Sequence, residues 1–177
     1  NNSDPLVIMA QDGMLAKYDS PTARKYPKEQ IDARFGPITR YGIVGVVYNK
    51  TLIKPEDAPK NIEDIVNPKY SGKLVMADPM LHVTTIQWLS SLHKIMAKDK
   101  VDKFSRDLAA MKPVLVESML PVSERVATGE IPIGLTFVKF AYSAAQSGAP
   151  LEYVRVDKML GDSHFVVLSN KAPHANA

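Results

Sequence analysis

The stretch that decides the fold runs from Tyr41 to Pro79 and reads YGIVGVVYNKTLIKPEDAPKNIEDIVNPKYSGKLVMADP. It opens with an apolar segment, Tyr41 to Tyr48, whose continuous hydrophobic character is typical of a strand buried on both faces. A short acidic helix, Asn61 to Val66, and a second apolar strand, Lys73 to Ala77, follow it. That strand ends in Asp78-Pro79, where a helix can begin. Ligands of open α/β sheets bind at such strand ends, so the stretch predicts a site as well as a fold.

The remaining elements alternate between helices and strands with short connections. We expect a helix at Asp4 to Leu15 with Asp4 as its N-cap, and a long helix from Val83 to Ala97 with an inner stripe of Ile86, Leu89, Ile95 and either Leu92 or His93. Further helices are predicted at Asp102 to Met111, Pro121 to Thr128 and Lys139 to Ser147, and strands at Val114 to Val116, Ile131 to Phe137, Leu151 to Val156 and His164 to Leu168. This alternation predicts an α/β fold with a mainly parallel central sheet flanked by helices.

The composition excludes several classes of function. Hydrophobic residues make up 45% of the 177 residues, which is enough for a sizeable core, and the longest apolar runs, such as Ile43 to Tyr48, are too short to span a bilayer. The net charge is +3, but cations and acids alternate, as in Lys98 to Lys103, so no basic stripe for nucleic acid exists. The sequence has no Cys, which excludes disulfides and thiolate metal sites.

The sequence offers no catalytic constellation. The four histidines, His82, His93, His164 and His174, are scattered, and none has the spacing of a metal motif. We find no nucleophile elbow and no dinucleotide fingerprint. We therefore expect a protein without catalytic residues, metal or cofactor.

The segment from Asp78 to Thr85 lies between a strand end and a helix start. The N-terminus of a helix carries partial positive charge, and hydroxyls at Thr84 and Thr85 add donors, so the segment suits a phosphate, a carboxylate or a similar anion. An alternative is that Thr84 or Thr85 caps the helix and His82 is a surface residue. Likewise the aromatic residues Phe137, Phe140 and Tyr142 either line a cleft or pack in the core.

The chain resembles the middle of the family 1 extracellular solute-binding proteins of ABC importers, the type that includes periplasmic ferric-ion, phosphonate, sugar-phosphate and polyamine binders. The resemblance rests on an ordered set of short segments over nearly the whole chain. These segments are Gly13-Met14-Leu15, Lys17 to Pro21, Tyr41 to Asn49, Pro59 to Ile65, Asn67 to Lys73, Asp78-Pro79, Val126 to Leu135, Ser147 to Pro150 and Lys171 to Pro173.

The resemblance implies a receptor of two α/β lobes that close on a ligand by a hinge motion. Residues 1–40 would then be a remnant of the first lobe, 41–49 a crossover hinge strand, 50–162 the second lobe, and 163–177 the return crossover with the start of the first-lobe continuation. The chain would be a fragment of a longer protein, located in the periplasm or outside the cell. Its partners would be a small solute and the membrane permease of an ABC importer.

The resemblance also implies where the ligand binds in the second lobe. The family's site maps onto His82 to Thr85, Glu117 to Leu120 and Thr136 to Lys139. The candidate ligand-binding residues are His82, Thr84, Thr85, Ser118, Thr136, Lys139 and Tyr142.

Ferric binders of this family place an adjacent Tyr pair just beyond the last of these strands. This chain has Val138-Lys139 there, and Tyr142 is unpaired. An organic anion or a phosphate-like group therefore suits the site better. The alternatives are a ferric receptor of the same family, a transferase or hydrolase that shares the lobe architecture, and a fragment that self-associates.

Overall fold

The computed structural model describes residues 3–17 and 19–173, and its contacts divide the chain into two compact units. Unit 1 comprises Asn1–Gly42 with Gly161–Ala177, and unit 2 comprises Ile43–Leu160. In chain order the strands are β1 (Leu15–Ala16), β2 (Ile31–Asp32), β3 (Gly36–Asn49), β4 (Leu74–Ala77), β5 (Val114–Val116), β6 (Ile133–Phe137), β7 (Leu151–Tyr153), β8 (Leu160–Phe165) and β9 (Leu168–Ser169). The α-helices are α1 (Ser3–Gln11), α2 (Val83–Ser91), α3 (Lys98–Ala110), α4 (Met119–Ala127) and α5 (Val138–Gln146), and short 3₁₀ helices span Ala23–Lys25, Lys28–Gln30, Glu63–Val66, Pro68–Tyr70 and Leu92–Lys94.

Unit 1 is held by a small apolar cluster and a short antiparallel ladder. Leu6, Phe35 and Phe165 are buried together, and the two phenylalanine rings lie 5.5 Å apart between centroids. The strands β1 and β9 pair antiparallel through Leu15 and Ser169. These contacts join the first and last parts of the described chain into one unit.

Unit 2 is built on a mixed sheet. The strand β4 pairs in parallel with β5 on one side and with β6 on the other. The strand β3 runs antiparallel to β6 and to β7. The predicted fold class, a central sheet flanked by helices, is confirmed, but the expectation of a mainly parallel sheet needs correction. The sheet is mixed, because β3 pairs antiparallel with β6 and β7, and its parallel part consists of β6, β4 and β5.

The core of unit 2 lies on both faces of this sheet, as the alternation of side chains along a strand requires. Leu74 and Met76 of β4 pack in one cluster with α2 and α3, while Val75 packs in the other with α4 and α5. Gly134 of β6 allows α4 to approach the sheet closely, because a Cβ on this residue would lie 2.7 Å from Val122 Cγ1. The helix α4 therefore packs directly on the backbone of β6.

Several element predictions need correction. The expected long helix ends at Ser91 and continues only as a 3₁₀ turn, and its predicted inner residue Ile86 is 51% exposed, whereas Trp88 is buried. The helix α1 includes Asp4, so this residue is not the N-cap before the helix. The expected strand at His164 to Leu168 is interrupted, because β8 ends at Phe165 and β9 begins at Leu168.

The short acidic helix is a 3₁₀ turn held by reciprocal hydrogen bonds. It spans Glu63–Val66 and is preceded by Ile62, so Asn61 is not its N-cap residue. The Asn61 side chain nevertheless accepts a bond from the Asp64 backbone N–H at 3.0 Å, and the Asp64 carboxylate accepts one from the Asn61 N–H at 3.2 Å. This is the pattern of a capping box, with the two partners three residues apart.

Asn49 is a buried polar residue that ties the end of β3 to the end of α4. Its side-chain amide donates to the Val126 carbonyl at 2.8 Å, and its side-chain oxygen accepts from the Thr51 backbone N–H and hydroxyl at 2.9 and 2.6 Å. Only 1% of Asn49 is exposed. The side chain thus satisfies one of the carbonyls that the last turn of α4 leaves without an intrahelical partner.

We predict that Asn49→Ala lowers the free energy of unfolding by about 1–3 kcal/mol, because it removes a buried amide together with its hydrogen bonds to the Val126 carbonyl and to Thr51. Urea unfolding monitored by circular dichroism measures this loss. The control is Asn67→Ala, which removes an exposed cap of a 3₁₀ helix and is expected to fall toward the low end of the roughly 0.5–2 kcal/mol range of helix caps. Equal losses in the two variants would contradict the assignment of Asn49.

Candidate functional site

The candidate site is built on three strands that end together. In the parallel ladder Ala77 of β4 lies opposite Val116 of β5, and Met76 of β4 lies opposite Leu135 of β6. Neighbouring strands are about 4.8 Å apart, so the three strand ends lie side by side. The helices α2, α4 and α5 begin just after these strands. We call this region, the ends of β4, β5 and β6 with the first turns of α2, α4 and α5, the carboxyl edge.

The three helices begin without the usual neutralising groups. The residues before them are His82, Ser118 and Phe137, and in this described part of the chain none of the three side chains makes a capping hydrogen bond. The first turns also contain no acidic residue, whereas α3 has Asp99 in its first turn. The positive ends of three helix dipoles therefore meet at the carboxyl edge, and two acids, Asp78 and Glu117, lie in the connections that precede α2 and α4.

Asp78 shapes the loop between β4 and α2. Its carboxylate accepts a hydrogen bond from the Met80 backbone N–H at 2.8 Å, and its carbonyl accepts bonds from the N–H groups of Leu81 and His82. Its own N–H donates to the Val116 carbonyl at 2.8 Å. The carboxylate at this edge is thus engaged by the backbone of its own loop.

His82 lies at the start of α2 and is half-buried. Its Nδ1 is 3.4 Å from the Thr85 hydroxyl oxygen. Burial lowers the pKa of the imidazole below its ordinary value, because removal from water disfavours the charged form. A neutral imidazole at this position can donate one hydrogen bond while the rest of the edge supplies positive potential.

The hydroxyl groups predicted to bind a ligand differ in exposure. Thr84 and Thr85 lie in the first turn of α2 and are 6% and 0% exposed. Thr136 is also fully buried, and its hydroxyl donates to the Met119 carbonyl at 2.5 Å, which fastens the end of β6 to the first turn of α4. Ser118 is half-buried. The sequence spacing did not indicate the hydrogen bond that the Thr136 hydroxyl donates to the Met119 carbonyl.

Lys139 places a cation in the first turn of α5. Its ammonium lies 5.4 Å from the centroid of the Phe137 ring and 4.7 Å from that of Phe140. Such cation–π contacts attract the ammonium to the faces of the two rings. The side chain is exposed, so the charge stays available to a ligand. The two phenylalanines are therefore supporting residues for Lys139, a role that the sequence pattern did not indicate.

Tyr142 lies apart from the group. It is 59% exposed and follows Val138, the first residue of α5, by four positions, which places it about 6 Å along the helix axis. The structure thus brings His82, Thr84, Thr85, Ser118, Thr136 and Lys139 to the carboxyl edge and leaves Tyr142 one turn beyond it.

A groove of about 270 Å³ runs between α4 and α5, from their first turns to their last turns. Leu120 and Phe140 line it near the edge, and Ala127 and Ser147 line it further along. Glu124 is its charged lining residue. An acid there does not favour an anion, so the groove is distinct from the site described above.

Within residues 3–17 and 19–173, no three His, Asp or Glu side chains lie together in a way that holds a metal ion. His174 lies outside these residues. No helix among the described elements is long and apolar enough to cross a membrane.

We predict that His82 makes stability depend on pH. Because its pKa is below 6.5 in the folded chain, the unfolded chain binds this proton more tightly, and stability falls as pH decreases through and below 6.5. His82→Gln should reduce the loss of stability between pH 7.5 and 5, measured by thermal unfolding. The control is Ser90→Ala, an exposed change on the same helix that alters no titratable group and should leave the slope as it is. An unchanged slope in His82→Gln would contradict the burial of this group.

Comparison with known proteins identifies relatives of this chain. Residues 7–155 match the model of a family described as bacterial extracellular solute-binding protein. An uncharacterized protein of Haemophilus influenzae is 26% identical over 116 residues, which cover 64% of this chain and 34% of that protein.

The fold is shared with solved binding proteins. The substrate-binding protein of an ABC transporter from Agrobacterium tumefaciens has a TM-score of 0.83 at 15% identity, over 96% of this chain and 52% of that one. The periplasmic binding protein AfuA from Actinobacillus pleuropneumoniae, solved with fructose-6-phosphate, has a TM-score of 0.80 at 23% identity, over 99% of this chain and 58% of that one. Iron-bound HitA from Pseudomonas aeruginosa has a TM-score of 0.77 at 18% identity, over 98% of this chain and 59% of that one. The chain thus spans a third of the curated relative and little more than half of these structures. By the match over residues 7–155, the chain belongs to the bacterial extracellular solute-binding protein family.

Proposed function

We propose that this chain forms the second lobe of an ABC-importer receptor and binds a small anionic solute, without chemical conversion, at the carboxyl edge. The observation that carries the proposal is the meeting of three helix starts, α2, α4 and α5, that have neither capping side chains nor acids in their first turns. Membership of an extracellular family agrees with the expected periplasmic or extracellular location.

The boundaries of unit 2 support the proposed lobe. Unit 2 spans Ile43–Leu160, close to the 50–162 expected for the second lobe. In this proposal residues 41–49 and 163–177 are the crossovers to the first lobe, and residues 1–40 belong to that lobe. The solved relatives are nearly twice as long as this chain, which leaves room for the rest of a first lobe in a longer protein.

The chemistry of the edge favours an anion over a ferric ion. The fold alone does not separate the two, because AfuA with fructose-6-phosphate and iron-bound HitA match at similar TM-scores. A trivalent cation is repelled by helix N-termini and by Lys139, whereas a phosphate or carboxylate accepts hydrogen bonds from both. The Asp78 carboxylate accepts a hydrogen bond from the Met80 N–H, which offsets part of its negative charge.

The expected binding free energies indicate that this lobe alone binds an anion weakly. One helix N-terminus stabilises an anion near the surface by roughly 0.3–1 kcal/mol, so three of them contribute roughly 1–3 kcal/mol to binding. A charge-assisted hydrogen bond from Lys139 adds about 1.5–3 kcal/mol. The sum falls short of the roughly 8 kcal/mol of a micromolar complex. Tight binding in the receptor therefore requires contacts from the other lobe as well.

Calorimetric titration with inorganic phosphate, fructose 6-phosphate and ferric citrate tests the proposal. We expect a millimolar Kd for a phosphate-bearing probe, and about tenfold weaker binding in Lys139→Ala, which corresponds to ~1.4 kcal/mol. Lys100→Ala is the matched control, because it removes the same charge from an exposed position on α3. The Lys100→Ala change should alter the affinity little, and higher salt should weaken binding in the native chain and in this variant alike.

Two binding results and one chemical result would overturn the proposal. One is tight ferric binding with no response to either phosphate probe, which would favour the iron receptor. The other is an equal loss of affinity in the Lys139→Ala and Lys100→Ala variants, which would show that net charge and not the carboxyl edge attracts the anion. Turnover of a probe during the titration would favour the enzyme alternative.

A further inference from the structure

The connection between β6 and α5 has no loop. The strand ends at Phe137 and the helix begins at the next residue, Val138. The backbone changes from strand to helix at Phe137, with φ −65° and ψ 125°. The position of the first turn of α5 is therefore determined by what its first side chains pack against.

Val138 packs against a strand position that has no side chain. Gly45 of β3 lies opposite Thr136 in the antiparallel ladder, two residues before Val138. A Cβ built on Gly45 would lie 2.8 Å from Val138 Cγ2 and 3.8 Å from Met159 Cε. Carbon atoms in contact prefer about 3.5–4.0 Å, so the first of these distances leaves no room for a side chain.

Neither partner in this contact can move aside easily. The backbone of β3 is fixed, since five consecutive positions from Val44 to Tyr48 pair with β6. Val138 is β-branched, and in a helix a valine side chain is confined mostly to one rotamer. Any side chain at position 45 must therefore displace the start of α5 by about 1 Å, judged from the normal contact distance.

We propose that Gly45 is a positioning residue for the candidate site, because its missing side chain lets Val138 lie against β3 and so sets where α5 begins. This inference rests on the proposed function, in which the first turn of α5 and Lys139 bind the solute. It adds that the residue at position 45, on the proposed crossover strand, controls the affinity of that site without contacting the solute.

Gly134 shows by contrast what a purely structural glycine does here. A Cβ on Gly134 would meet Val122 Cγ1 at 2.7 Å and Val126 Cγ2 at 2.9 Å. These residues are the fourth and the eighth of the nine residues of α4, so the contact holds the body of the helix rather than its first residue. The Gly45 contact instead falls on the first residue of a helix whose N-terminus is part of the candidate site.

The test is a double-mutant cycle read in two independent ways. Gly45→Ala, Val138→Ala and the double variant are compared with the native 177-residue chain. Backbone amide NMR shifts of residues 138–141 report the position of α5 without any ligand. Calorimetric titration with inorganic phosphate reports the site. Leu108→Ala, a core change on α3, controls for lower stability, and all proteins are measured well below their unfolding temperatures.

We expect Gly45→Ala to shift the amides of residues 138–141 and to weaken phosphate binding about fivefold to tenfold. The double variant should match Val138→Ala alone in both readouts, because removal of Cγ2 relieves the contact. Leu108→Ala should lower the unfolding temperature without moving these amides or the affinity.

The two readouts separate the possible failures. Unmoved amides in Gly45→Ala, or shifts that Val138→Ala does not relieve, would overturn the positioning contact. Shifted amides with native phosphate affinity would overturn its role in binding. If the native chain binds no phosphate, the proposed anion site fails and the role in binding fails with it, while the amide shifts still decide the contact itself.

Discussion

The parallel pairing of β4 with both β5 and β6 is the constraint on which the rest of unit 2 depends. Parallel neighbours cannot be joined by a tight hairpin, so each strand must be followed by a crossover segment, usually a helix. The helices α2 and α4 consequently begin at one edge of the sheet, and α5, which follows β6, begins at the same edge. The close approach that Gly134 allows between β6 and α4 then keeps α4 against the sheet. The positive potential at the carboxyl edge follows from this topology.

Much of the fold was predictable from residue patterns. The run from Tyr41 to Pro79 predicted two buried strands and the turn between them, and the spacing of Phe104, Leu108 and Met111 predicted the buried face of α3. Strand direction was not predictable, because the antiparallel course of β3 depends on its partners β6 and β7. The exposure of Ile86 was missed for a similar reason, since tertiary packing selects Trp88 as the inward residue of α2.

The site was predictable only in outline. The strand-end pattern indicated the segment that carries His82, and the family resemblance implied those that carry Ser118 and Lys139. The sheet brings all three to one edge. It did not indicate that the Thr136 hydroxyl bonds to the Met119 carbonyl, or that two phenylalanine rings hold Lys139. These roles depend on groups brought together by folding. A fold shared by iron-bound and sugar-phosphate-bound receptors leaves specificity to such side chains.

The central claim is that the carboxyl edge of unit 2 attracts anions. Anomalous diffraction from crystals soaked in tungstate, a tetrahedral oxyanion like phosphate, locates a bound anion directly. We predict an anomalous peak within hydrogen-bonding distance of the backbone N–H groups that begin α2, α4 or α5, and near the Lys139 ammonium. Peaks confined to other surfaces, such as the lysines of α3, with none at the carboxyl edge would contradict this account.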